Sequence, residues 1–408
     1  MALTVRQECP QCGGPFDLPE TRRVFACPYC GVRSFLHGEG PFQYILPPAE
    51  TVRAPLWIPY FRFRGMVFTC AGESVRGKVV DLTGLALDGP GLPPSLGLRP
   101  QAMKLRFRTA GVPGHFFGKT LGLSRIIDRA EQTPPVATGG PVHLRASIGE
   151  TLSVIHLPLE ERNRSFVDGI TGEPLPVPEE TGDAFAGSPP DTDPRPPRYL
   201  ATVCPECGWD LSGEGDSVVL PCGNCGRAWT AGGASFLETA QERMAGAQDG
   251  PALPFWKITA ELKGSFPVST FGDFLEATGR PAGDRPGRRA GRMLFWIPAF
   301  KIRPDLFLRL SVRMTLRQDL GPLEEGPPQG RAYPATLPVE EAVQAIPVVL
   351  AEALLLKKAL FPGLPGVRTA MTDHRLVHVP FREGPLEYVQ DRLFLGIHKK
   401  TLDFGRLL

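Results

Sequence analysis

Apolar and polar residues alternate along much of the chain with the period of two expected of strands half buried in a sheet. The clearest stretch is Leu56-Trp57-Ile58-Pro59-Tyr60-Phe61-Arg62-Phe63-Arg64-Gly65, with Trp57, Phe61 and Phe63 on one face and Arg62 and Arg64 on the other. The parity returns at Trp296-Ile297-Pro298-Ala299-Phe300-Lys301-Ile302-Arg303 and, more loosely, from Phe255 to Gly264. Proline within such a strand removes a ladder donor, which places that end at a sheet edge or a bulge. Leu306 to Arg317 alternates in the same way and predicts a strand, although Phe307, Leu310 and Met314 would also line one face of a helix. A helical pattern appears in the second half only, over 338–360, with a break expected at Pro347. Its apolar residues are too continuous for a free surface and predict packing onto a sheet.

These stretches recur in one order. Leu98-Arg99-Pro100 is echoed by Ile302-Arg303-Pro304, and Val154-Ile155-His156-Leu157-Pro158 by Leu376-Val377-His378-Val379-Pro380. With two cysteine clusters leading the halves, the pairs Cys9 and Cys204, Trp57 and Trp256, Arg99 and Arg303, His156 and His378 are offset by 195, 199, 204 and 222 residues. Tandem duplication with loop insertions accounts for that series. The expected fold is α+β and mainly β: a ribbon followed by an antiparallel β-sheet module, twice, with a helical segment in the second copy.

Length bounds the domain count. At 408 residues the chain exceeds the usual size of one core, and 46 Gly and 45 Pro predict many turns and short strands. From Pro174 to Pro197 there are eight prolines among Glu179, Glu180, Asp183, Asp191 and Asp193, which reads as an extended acidic linker. The expected divisions are a ribbon at 1–36, a β-rich module at 37–175, the linker at 176–199, a second ribbon at 200–236 and a second β-rich module at 250–408. Net charge is only +2, but Arg53 to Arg129 holds twelve Lys or Arg against four Asp or Glu, so the first module is basic. The first residues show no secretory signal pattern, and the most apolar stretch carries Glu340, Glu341 and Glu352 within it, so neither secretion nor a membrane span is expected.

The strongest chemical signal is in the cysteines. Cys9-Pro10-Gln11-Cys12-Gly13 is followed after fourteen residues by Cys27-Pro28-Tyr29-Cys30-Gly31. Cys204-Pro205-Glu206-Cys207-Gly208 and Cys222-Gly223-Asn224-Cys225-Gly226 repeat that spacing. Two thiolates on a tight turn converge on one ion, and four close a tetrahedral shell with no position left for water. Two structural zinc ions are expected, with iron the lesser reading, and paired cysteines without a secretory signal suit a reducing cytoplasm. The quartets resemble the zinc ribbons of general transcription factors, RNA polymerase subunits and many bacterial proteins, which present nucleic acid or a protein to a larger machine. The ribbon followed by a Trp-Ile-Pro-Tyr strand also resembles bacterial double-zinc-ribbon proteins of uncharacterised role that carry primosome-like labels. No complete phosphate loop accompanies it, so the resemblance implies no helicase.

The remaining candidates are weaker. Arg62, Arg64, Arg99, Lys104, Arg106 and Arg108, near Phe107, Phe116 and Phe117, form a possible nucleic-acid or anion contact. His156 and His378 read as structural, and Cys70 as a small buried hydrophobe. No nucleophile with its base, carboxylate pair or open metal site has a recognisable pattern. The functional expectation is a non-enzymatic scaffold or adaptor for a protein partner, with a DNA- or RNA-binding factor as the alternative and a hydrolase as a remote one.

Overall fold

A computed structural model describes residues 3–89, 91–131, 140–162, 165–177, 188–246, 249–281 and 286–406. Glu179, Glu180 and Asp183 of the expected linker lie outside them. The protein is mainly β, with 41% strand and 19% helix in several sheets. It divides into two compact units that are discontinuous in sequence: Met1–Arg64, Asp81–Val136 and Thr151–Ala201 form the first, and Gly65–Val80, Ala137–Glu150 and Thr202–Leu408 the second.

The first unit is built on strands β1 (Thr4–Glu8), β2 (Pro15–Pro19), β3 (Val24–Ala26), β4 (Arg33–His37), β5 (Phe42–Ile45), β6 (Leu56–Ala71) as far as residue 64, β7 (Ser74–Leu85) from residue 81, β8 (Leu105–Phe107), β9 (His115–Phe116), β10 (Val142–Arg162) from residue 151, β11 (Ser165–Asp168) and β12 (Arg198–Ala201), the rest of β6, β7 and β10 counting with the second unit. Their main sheet runs β2-β1-β8-β5-β10-β6-β7, while β12-β4-β3 form a small one. The hairpin β1-β2 thus both carries the first cysteine pair and forms the edge of the main sheet. Alternation puts Val5, Phe16 and Leu18 into one core with Tyr60, Leu105 and Ile155.

The second unit has β13 (Val219–Pro221), β14 (Ala228–Gly232), β15 (Ser235–Thr239), β16 (Gln241–Met244), β17 (Ala252–Lys263), β18 (Leu294–Pro298), β19 (Leu323–Glu325) and β20 (Arg368–Pro380), with a main sheet ordered β18-β17-β20-β16-β19. In both units a short strand following the cysteine cluster lies parallel to a late long strand: Phe42–Ile45 to Ser153–His156, and Gln241–Arg243 to Leu376–His378. The expectation of antiparallel sheets is corrected to mixed sheets. Some hundred residues or more separate the paired strands, which gives the crossover that parallel pairing requires.

Three tryptophans anchor the repeated strands. Trp57, Trp256 and Trp296 are each 1% exposed, and their indole N–H groups donate to the carbonyls of Pro113, Leu337 and Gln318 at 2.9, 2.8 and 3.2 Å. The large ring is buried and its one polar atom is satisfied, so burial carries no penalty for an unpaired N–H.

Two local expectations are corrected. Leu306–Arg317 is not a strand: Pro304–Arg317 is a helix, with Pro304 at its start, Asp305 in its first turn and Arg317 in its last. It buries Leu306, Leu308 and Leu310 together with Phe307, Ser311 and Met314, more than half of its circumference. Each fully buried apolar side chain contributes about 1.5–3 kcal/mol. Nor does Pro347 break the second helical stretch, which is continuous from Val339 to Ala353. Proline inside a helix costs about 3 kcal/mol. Here Ala345, Ile346, Val348, Val349 and Leu350 are all buried around it, and the carbonyl it leaves unpaired, that of Val343, lies on the half-exposed side with Gln344.

Candidate metal centres and the charged residues

Four turns of one design carry the eight cysteines. In each, the glycine closing the motif donates its amide to the carbonyl of the first cysteine: Gly13 to Cys9, Gly31 to Cys27, Gly208 to Cys204 and Gly226 to Cys222, at 2.8 to 3.0 Å. The first cysteine's own amide donates to the residue after that glycine, over 2.7–2.9 Å. The glycines have φ of 71°, 73°, 72° and 73°, the left-handed region in which a Cβ is strained. Such a turn aims both thiols to the same side.

The result is two groups, Cys9, Cys12, Cys27, Cys30 and Cys204, Cys207, Cys222, Cys225, whose sulfurs all lie within 4.8 Å of one another. The pairs Cys9–Cys30, Cys12–Cys27 and Cys204–Cys225 are 3.7 Å apart, and Cys207–Cys222 is 3.5 Å. A disulfide requires about 2.05 Å. A tetrahedron with metal–sulfur bonds of about 2.3 Å has sulfurs about 3.8 Å apart, so the spacing fits a four-thiolate metal shell.

The local charge agrees. The backbone amides of Cys30 and Tyr29 draw the Cys27 thiol down to about 6, against the effect of burial. The Asn224 side chain and the Trp209 amide do the same for Cys207, also to about 6. Against the amides of Gly14 and Arg227, loss of water and crowding by the other sulfurs push Cys12 and Cys225 up to about 12. Four thiols this close share protons unless a cation replaces them.

Five of the six candidate cations face carboxylates. Arg62 is 1% exposed and bonds Glu20 and Asp81, while Arg64 lies 3.7 Å from Asp81. Arg99 pairs with Asp168 at 2.6 Å, Lys104 with Asp17 at 2.7 Å, and Arg108, 3% exposed, with Asp191 at 3.1 Å. Arg106 is exposed on β8. Alternation was expected to turn Arg62 outward, but both faces of β6 are covered, so the guanidinium is neutralised inside the unit. The acidic partners were missed from sequence, although Glu20 shares the inward parity of Phe16 and Leu18.

Gly118-Lys119-Thr120 does carry the last three residues of a phosphate loop, but the preceding glycine, Gly114, is one position too close. The Gly118 amide donates to Pro189, the Lys119 ammonium faces Asp191, and the next helix begins only at Leu123. No phosphate cradle is formed there.

His156 is fully buried with Nδ1 2.9 Å from the Tyr44 carbonyl, and burial lowers it to about 3. His378, 7% exposed, is lowered by burial to about 4. Cys70 is buried, which pushes its thiol up to about 12 and leaves it unreactive. Among the described residues no helix is long and apolar enough to cross a membrane. No protein-family model, curated protein or solved structure matches the chain.

Proposed function

We propose that the chain is a non-enzymatic scaffold or adaptor that binds a protein partner, made of two duplicated ribbon-plus-sheet copies, each stabilised by one structural zinc ion. The observation that carries this reading is the convergence of four cysteine sulfurs at each of two places, on four turns of one design: with a metal bound there, four protein ligands would leave no coordination site for a substrate or an activated water. The common placement of β5 beside β10 and β16 beside β20, each after a ribbon, supports duplication. Zinc is preferred to iron because it needs only the tetrahedron and no redox role. A reducing cytoplasm is the setting in which eight paired thiols stay available to metal. Tyr29 and Trp209, 65% and 61% exposed beside the two quartets, are the kind of residue that anchors protein interfaces. Pairing of five of the six candidate cations with carboxylates weighs against a nucleic-acid groove.

Affinity purification of the tagged chain, with and without nuclease and with and without a zinc chelator, tests the reading. A partner retained through nuclease and lost on chelation supports it. Recovery that depends on nucleic acid overturns it.

A further inference from the structure

The segment Pro189-Pro190-Asp191-Thr192-Asp193 is pinned to the first unit in a way unlike ordinary packing. Pro190 bridges Phe117 as an added antiparallel residue, Gly118 donates to the Pro189 carbonyl at 2.7 Å, and Asp191 donates to the Phe116 carbonyl at 2.9 Å. Both prolines are exposed, so the segment inserts no apolar side chain. It is held by backbone bonds and by one carboxylate. Asp191 meets Arg108 at 3.1 Å and Lys119 at 3.6 Å, and its backbone carbonyl accepts from Arg108 as well. Gln43 donates to the Asp193 carbonyl at 3.2 Å.

The receiving side is formed by groups outside that segment. Arg108 is fixed by Gln43 Oε1 at 2.6 Å and lies over the Phe116 ring with its guanidinium carbon 3.9 Å from the centroid. A buried guanidinium held in place demands a carboxylate, because an unpaired buried cation is strongly unfavourable. At Gly118 a Cβ would come within 2.7 Å of the Pro189 carbonyl oxygen, so the close backbone approach requires glycine.

We propose that Phe116–Gly118 with Arg108 and Lys119 is a docking site for an acidic, proline-containing extended segment of a partner protein, and that the chain's own residues 189–193 occupy it in the partner's place. Strand addition supplies the affinity of such a site and the buried cation its selectivity. Donor and acceptor on adjacent backbone positions match a peptide rather than a nucleic-acid strand. This deepens the binding reading above and rests on it only for the existence of a protein partner.

The test uses the full zinc-loaded chain carrying Asp191→Ala and Asp193→Ala, and a fluorescent peptide copying residues 187–195. The peptide is expected to bind this variant and to weaken at high salt. It should bind the unaltered chain at least about tenfold more weakly, since a tethered segment competes at an effective concentration near millimolar. Adding Gly118→Ala to the double variant should abolish binding. The proposal is overturned if the double variant, with unchanged metal content and circular dichroism, fails to bind the peptide, or if Gly118→Ala leaves binding intact. It is also overturned if inorganic phosphate or a single-stranded oligonucleotide displaces the peptide as well as unlabelled peptide does. Any of these outcomes leaves chelator-sensitive partner capture standing, so the two readings fail separately.

Discussion

Arg62 and Glu20 meet at 3.0 Å with 1% and 0% of their side chains exposed, which makes them a fully buried ion pair linking β6 to the end of the first ribbon's hairpin. Asp81 bonds the other guanidinium nitrogen, and Glu20 also accepts from the Leu3 amide at 3.3 Å. Removing Arg62 leaves Glu20 out of water without its counter-charge, and removing Glu20 leaves the buried guanidinium with Asp81 alone. Glu20→Ala or Arg62→Ala is therefore expected to cost about 3–5 kcal/mol in urea unfolding, whereas the apolar pair Glu20→Leu with Arg62→Met should recover most of it. An additive loss in the double variant would show that the pair is not energetically coupled.

The knuckle glycines separate backbone strain from crowding. At Gly13, Gly31 and Gly208 an added Cβ would meet nothing within 4 Å, yet φ is positive at each. Gly31→Ala or Gly208→Ala should thus lose about 1–2 kcal/mol of ribbon stability through φ alone, read as earlier zinc loss to a chelator. Gly223 has equally open space without the positive φ, so Gly223→Ala is the control expected to release zinc as the unaltered chain does.

Zinc removal should spread unequally through each unit. Elemental analysis is expected to give two zinc ions per chain, and Cys27→Ser or Cys222→Ser one. Because β1 pairs β8 in the main sheet, loss of the first site should raise amide exchange in β8 and β5 as well as in the ribbon. Exchange that rises only at residues 4–37 would show that the hairpin holds its place without metal.

The Trp-bearing strands and the cysteine turns were legible in the sequence because both are local: a period of two and a fixed spacing suffice. Leu306–Arg317 was ambiguous because a helix buried over more than half its surface satisfies both periods. Glu20 could have been found, since Phe16, Leu18 and Glu20 alternate inward together. Asp191 could not. Its pairing with Arg108 spans 83 residues and depends on how the segment 188–197 is laid against Phe116–Gly118, which no local pattern encodes.

The two buried histidines fix the sign of an acid dependence. Both are neutral in the folded chain, with values of about 3 for His156 and about 4 for His378, whereas an unfolded histidine titrates near 6.5. Between those limits the unfolded chain binds more protons, so stability rises with pH there. It is fully present above about pH 6.5 and falls as pH drops toward about 4, by at most ~1.4 kcal/mol per pH unit per histidine. Nδ1 of His156 donates to the Tyr44 carbonyl, and Arg108 adds to the penalty for charging the ring, while Asp191 opposes it. Thiolates also take up protons in acid, so the decisive quantity is a difference. The urea midpoint of His378→Leu should decline less than that of the unaltered chain between about pH 7.5 and pH 5, and parallel declines would show that His378 does not charge on unfolding.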